Sequence, residues 1–476
     1  MKAFTVDMHC HPSLRAYYGK HKTIADGLWS PSIHPGTKSS FGRFIRMQAK
    51  DMYRAPQSGF HKLLDSKIQV ICDALYPVEE GWINLRKVPN FMVGKLRQEE
   101  VMINATGFGS DCIHKIETTD YMETLQGMYS KLLKNSGKEN QGRSFQLVST
   151  YQEIAENLKN PDRLSVLLSI EGAHSFGSYV PGFENLGFGN QSAIVSDHVK
   201  RVKNWIAPPF YITLVHHFWN QFAGHARSLK KPFNLLYNQN KGVDKGITKI
   251  GWHFIHELLT VNNGKRILID IKHMSVPSRI QYYEFIRSNN YLNPNNKIPI
   301  ICSHTGINGY KRLSRSIEKI DDQAKFRNSY LNNWSINLCH DDVQAIHESE
   351  GLIGVMLDKS LLASPNFLMK IQTIKDPQRR KDLFLKLIWD NIFGMVEAVQ
   401  EPSIWDVICL GSDFEGQISF IEFYPESSSI QYLKKDLISY LEKEEYKKNC
   451  WMGYEPKQLV KKIFQTNAMA FLKRHY

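Results

Sequence analysis

Eight short apolar runs, rich in Val, Ile and Leu, recur along the chain: 3–11, 67–78, 164–174, 211–217, 265–273, 297–304, 351–357 and 406–416. Apolar residues without strict alternation are what strands buried on both faces require. Between the runs lie segments with helical spacing, such as IGWHFIHELL, DDVQAIHESE and DLFLKLIWDNIFGMVEAV. Buried strands alternating with helices predict an α/β fold, a parallel (β/α)8 barrel of the TIM type. A doubly wound open sheet is the alternative, but no glycine-rich phosphate turn follows the first run. No repeat or flexible linker divides the 476 residues, so they read as one domain, 1–476. The connections 12–66 and 79–160 exceed what one helix needs. Insertions after barrel strands fall on the catalytic face, so both are expected to shape the mouth of a pocket.

The ends of these runs carry chemistry. The first ends in His9 and His11, the third in Glu171, the fourth in His216, the fifth in His273, the sixth in His304 and the eighth in Asp413. Residues i and i+2 of a strand project to the same side, so His9 and His11 offer two imidazoles to one ion. Cys10, between them, points away. A parallel barrel gathers distant strand ends into one ring. Singly, each has a plain structural reading: a lone histidine is usually a satisfied polar group, and Glu171 or Asp413 fits a helix cap. Together they do not, because buried ionisable groups are costly without partners or metal.

Composition narrows the class further. Lys+Arg 60 against Asp+Glu 47 gives a formal charge of +13. The basic residues are scattered, and no zinc-finger, RNA-binding or helix-turn-helix pattern accompanies them, so nucleic acid is not an expected partner. A non-catalytic nucleic-acid-binding barrel remains the distant rival. No stretch reaches the ~18–20 apolar residues of a membrane span. Asp7 and His9 arrive too early for a secretory leader, and seven scattered cysteines do not read as a disulfide framework. A cytoplasmic protein, with a homodimer as one assembly to expect, follows.

SIEGAHS, YITLVHH, LIDIKHMSV, IICSHTG and GSDFEG resemble, in this order, the motif blocks of the membrane (renal) dipeptidase family, peptidase family M19 of the amidohydrolase superfamily. GITKIGWHFIHEL and the closing EPKQLVKKIFQTNAMAFLK, with Asn467, are similar to helices of that family. The resemblance implies two divalent metal ions, typically zinc. His9 and His11 would hold one and His273 and His304 the other, with Glu171 bridging. Such chemistry suits imidazole and carboxylate donors, and a water between two dications becomes a nucleophile near neutral pH. By the same resemblance His216 would polarise the scissile carbonyl, Asp413 would move the water's proton to the leaving amine, and His174 would orient Glu171. The implied activity is hydrolysis of a dipeptide or similar small amide.

Two departures bear on the substrate. The family shows His-x-Asp where this chain has His9-Cys10-His11, and a neutral ligand there raises the charge of the centre. Its substrate-binding arginine, before an asparagine and an acidic pair, is replaced by Ile336, ahead of Asn337, Asp341 and Asp342. Arg312, Arg315 and Arg327 are the candidates to take its place. Lactone or N-acyl hydrolysis is the alternative reaction. His217 and His225, though close to the motifs in sequence, are expected to face elsewhere.

Overall fold

A computed structural model of the chain describes residues 4–49, 55–83, 95–177, 182–229, 233–317, 330–444 and 448–476. Ten strands lie in one sheet: β1 (Thr5–Cys10), β2 (Ile68–Leu75), β3 (Glu139–Asn140), β4 (Arg143–Leu147), β5 (Arg163–Glu171), β6 (Tyr211–Thr213), β7 (Leu268–Asp270), β8 (Ile301–Thr305), β9 (Leu352–Val355) and β10 (Ile408–Leu410). Eight follow the order β1-β2-β5-β6-β7-β8-β9-β10, with each neighbouring pair parallel. The two ends of this path meet. Asp413 N donates to His9 O (2.9 Å) and His11 N to Phe414 O (2.8 Å), which closes the sheet into the expected barrel. Every residue of β1, β2 and β6 to β10 is buried, which is why their runs read as continuously apolar.

Buried acids lace the strands together. Asp7 accepts from the Ser412 amide (2.9 Å) and hydroxyl (2.5 Å), across the closing seam. Asp270 accepts from Thr213 Oγ1 (2.7 Å) and Ser303 Oγ (2.6 Å), joining β6, β7 and β8. Burial pushes the Asp7 carboxyl up to about 6 despite these donors.

Helices Lys249–Leu259, His340–Glu348 and Pro377–Val399 fill the connections where helical spacing predicts them, and Val276–Leu292 fills the connection after β7. Their starts follow capping chemistry: Thr248 accepts from Gly251 N, Ser275 from Ser278 N, and Asp376 precedes Pro377 at the first helical position. In the closing segment Asn467 donates to the carbonyls of Trp405 (2.6 Å) and Ile408 (2.7 Å), pinning the last helix beneath β10.

One expectation needs correction. The insertion 79–160 lies only partly over the mouth. Its hairpin β3–β4 lies at the other end, where β4 pairs in parallel with Arg163–Val166 of β5 while β6 takes Ser169–Glu171. β5 is the longest strand of the barrel, with nine residues, and has room for both. Among the described residues no helix is long and apolar enough to cross a membrane.

Candidate metal centre

Glu171, the last residue of β5, is 3% exposed and stands at the centre of a ring of imidazoles. Its Oε1 lies 3.5 Å from His9 Nε2, 3.7 Å from His273 Nε2 and 3.6 Å from His304 Nε2. Its Oε2 lies 3.1 Å from His11 Nε2 and 3.6 Å from His216 Nε2. Asp413 Oδ1 completes the ring, 3.4 Å from His11 Nε2 and 3.8 Å from His9 Nε2. Seven residues from six strand ends thus meet at one point, as strand-end convergence in a parallel barrel demands.

Proton positions at three rings follow from the partners. His11 Nδ1 faces the Ala74 carbonyl at 2.9 Å, and a carbonyl only accepts, so the proton sits there. Tyr211 gives its hydroxyl proton to Met8 O (2.7 Å) and accepts from His9 Nδ1 (3.0 Å). Ser303 gives its proton to Asp270 and accepts from His304 Nδ1 (2.8 Å). Each ring is therefore anchored through Nδ1 and turns its Nε2 towards Glu171, as ligating histidines do.

These positions fit metal ions. His9 Nε2 and His11 Nε2 are 3.1 Å apart, a pair that holds a proton or a metal ion between its nitrogens. With Glu171 and Asp413 beside it, burial opposes the charged form of His11 but the two acids raise its pKa well above the ordinary value. Donors about 2 Å from a tetrahedral ion are about 3.3 Å from one another, close to the spacings of the ring. His9 groups with Glu171 and His304, and also with His11 and Asp413, all ligand atoms in each group lying within 4.8 Å of one another. His9 thus stands between His11 and His304, in contact with both, rather than siding with His11 alone. Cys10 is turned away, its Sγ 3.9 Å from the Cys72 carbonyl.

Burial, then the charge of His216, drives the His273 pKa down to about 3, and burial, then His9, drives His304 well below its ordinary value. Both are neutral, the ligating form. Burial opposes ionisation of Glu171, but the charges of His216 and His11 hold its carboxyl well below the usual range. Two members of the ring also carry backbone strain: His273 (φ 66°) and Asp413 (φ 63°) are non-glycine residues in the left-handed region.

Three features lie outside the sequence reading. Glu79, after β2, accepts from His216 Nδ1 (2.8 Å), Phe218 N (3.0 Å) and Tyr76 OH (3.0 Å). Burial pushes Glu79 up, but His216 outweighs it and brings the pKa down to about 2. The YPVE turn after the second run was the only hint of it. His217, expected to face elsewhere, lines the cavity and groups with His216 and His273, because the backbone leaves strand geometry after Thr213 and alternation no longer applies. Tyr211, an aromatic of the fourth run, proves to be the residue that orients His9.

Other candidates are placed differently from the expectation. His174 Nε2 donates to Pro77 O (2.8 Å), so it braces the loop after β2 that carries Glu79. Arg312, just before helix Leu313–Ser316, and Arg315, within it, are exposed, with Arg312 near Asp341, and neither is among the described residues that line the cavity. Arg327 lies outside the described residues. Asn337 is spent on structure, donating to Leu361 O (2.6 Å) and Asn332 O (3.1 Å).

The centre opens into a cavity of about 770 Å³. Leu14, Trp82, Met102 and Phe108 from the two insertions form one wall, and Trp334 and Ile336 stand on another. Among the described lining residues Arg227, at an exposed position, is the one arginine.

No family model and no curated protein matches the sequence. Among solved structures the chain is similar to dipeptidase AC, a metallopeptidase of family M19, at 13% identity and TM-score 0.53, covering 100% of this chain and 99% of that one. It is equally similar to a metallopeptidase from Rhodobacter sphaeroides liganded with a phosphinate mimic of the dipeptide L-Ala-D-Ala, at 13% identity and TM-score 0.53, covering 100% of both chains. The likeness is one of fold, and it is the fold the motif blocks imply.

Proposed function

We propose that the chain is a metal-dependent hydrolase that cleaves a dipeptide or another small amide with water. The observation that carries this reading is the ring of Nε2 atoms around Glu171, three of them aimed there by a partner on Nδ1. Two ions, with zinc suited to the donors, fit better than one. His9, His11, Glu171, His273 and His304 already exceed the four positions of a single tetrahedral ion. Bound there, the ions would supply Lewis acidity towards a carbonyl and lower the pKa of a water.

The chain's own groups then do the rest. Glu171 spans the centre and balances its charge. His216 is held by Glu79 with its Nδ1 proton fixed, and although burial opposes it, Glu171 and Glu79 raise its pKa. It can therefore present an Nε2 proton to an oxyanion. Asp413, 8% exposed at the cavity floor, accepts a proton from water and returns it to the leaving amine. The apolar walls exclude bulk water from these transfers.

One observation favours the second reading, hydrolysis of an N-acyl amide or lactone. Ile336 stands where the resemblance expects an arginine, and Trp334 beside it also lines the cavity. Such a wall suits an acyl or aromatic group better than a carboxylate.

Metal analysis tests the shared core. Protein purified without chelator carries up to two transition-metal ions per chain; Glu171→Ala loses most of them, and Asp413→Asn loses turnover but keeps metal. Unchanged metal content in Glu171→Ala would sink the bridging role. Dipeptide, N-acyl amide and lactone panels on zinc, manganese and cobalt forms decide the substrate.

A further inference from the structure

A second hollow, of about 330 Å³, lies where the two insertions meet. Helix Pro12–Tyr18 and the loop after it form one side, and helices Cys112–Thr118 and Tyr121–Asn135 the other. Among its described lining residues, Lys20, Lys22, Lys115 and Lys131 face a single acid, Asp111. That acid is already engaged, for Lys115 Nζ lies 2.9 Å from Asp111 Oδ2. Lys115 also donates to Tyr17 O at 3.2 Å.

Lys131 is the residue out of balance. Its Nζ sits 4.2 Å from the centroid of the Tyr17 ring, and Lys115 Nζ lies 5.7 Å from the same centroid. Two ammonium groups thus lie over one aromatic ring that lines the concavity. Among the described residues no carboxylate pairs with Lys131. Burial, and then the charge of Lys115, push its pKa down, so the folded chain carries an electrostatic cost at this point. Lys20 and Lys22 stand exposed at the rim, where they add to the positive potential without relieving it. An anion seated between the lysines removes that cost.

The chemistry selects the anion. No arginine is among the described lining residues, so no planar fork is present to match a carboxylate edge-on. Lysines act as point charges, which suits a tetrahedral oxyanion approached from several directions. Four cations against one engaged acid call for more than a single negative charge.

We propose that this hollow binds a phosphate group, as the free anion or carried by a nucleotide, at a site separate from the metal centre. It does not depend on the hydrolase reading, since none of its lysines touches that ring.

Metal-loaded protein titrated calorimetrically with inorganic phosphate, and in parallel with adenosine diphosphate, tests this. Lys131→Met and Lys22→Met are each expected to weaken binding at least tenfold. Affinity in the unaltered chain falls as salt is raised. Any phosphate held by the metal ions is common to all three proteins, so their difference reads the hollow alone. Tighter binding of the diphosphate assigns the site to a nucleotide, and equal binding assigns it to the free anion. Lys22 is exposed, so its variant folds even where Lys131→Met does not. Metal content and hydrolysis in Lys22→Met stay at the unaltered level. No binding beyond the metal centre, or affinities within twofold in both variants, overturns the proposal.

Discussion

At the scale of single residues, the centre depends on atoms that leave room as much as on those that bind. Asp413 can lie flat beside His9 and His11 because residue 416 is glycine: a Cβ there would collide with Asp413 Oδ1. Gly416→Ala should therefore shift the carboxylate while leaving the six other members of the ring in place. A displacement of about 1 Å at a reacting group costs on the order of a hundredfold in rate. The expected outcome is turnover reduced by about that factor with metal content unchanged; retained turnover would remove Asp413 from the proton path. The histidine pair of the first run was legible because strand alternation is rigid. Glu79 was not, because it acts from a loop whose course no periodicity describes.

Elements show a second kind of economy. The last helix, Asn467–His475, is fastened at one end by Asn467, whose amide reaches the base of β10. At its other end His475 Nε2 is buried without a hydrogen-bond partner. Burial, and then the Arg474 charge, drive the His475 pKa down to about 4. A histidine whose folded value lies below its ordinary one of 6.5 binds its proton more readily in the unfolded chain. Stability is therefore undiminished above about pH 6.5 and falls as the pH drops from there towards about 4. His475→Phe should flatten that part of the profile, as followed by chemical denaturation at stepped pH. An unchanged slope would place the acid sensitivity elsewhere. Helical spacing made the existence of the helices before β7, β9 and β10 legible, but not their ends: the last of them starts at Pro377, ahead of the apolar pattern, where Asp376 caps it. The hairpin β3–β4 was not legible, since β4 gains strand character from pairing with β5 and not from its own sequence.

For the whole molecule, the question is how insertions so far apart in sequence become one wall. Arg15, in the first, extends its Nε to Glu415 Oε2 at 2.8 Å, 400 residues on, with both side chains 1% exposed. Arg15 Nη1 also donates to the Thr106 carbonyl of the second insertion (3.2 Å), and Glu415 N donates to Gln57 Oε1 (2.9 Å). This buried pair joins both insertions to the loop that carries Asp413. Removing one partner of a buried pair costs about 3–5 kcal/mol, because it strands a charge. Arg15→Met should lower unfolding free energy by that amount, and adding Glu415→Gln should recover part of it. A double variant no better than the single one would show that the pair does not act as a unit.

The chain's own pattern made the barrel and the ionisable residues at its mouth legible, because buried parallel strands must be apolar and a parallel barrel gathers the residues at their ends into one ring. Tertiary structure alone decided which residues orient that ring and how wide the cavity beside it is. Tyr211, Ser303 and Glu79 act through contacts of specific length across the fold, and the 770 Å³ beside them is the space left by two insertions whose packing no local rule determines.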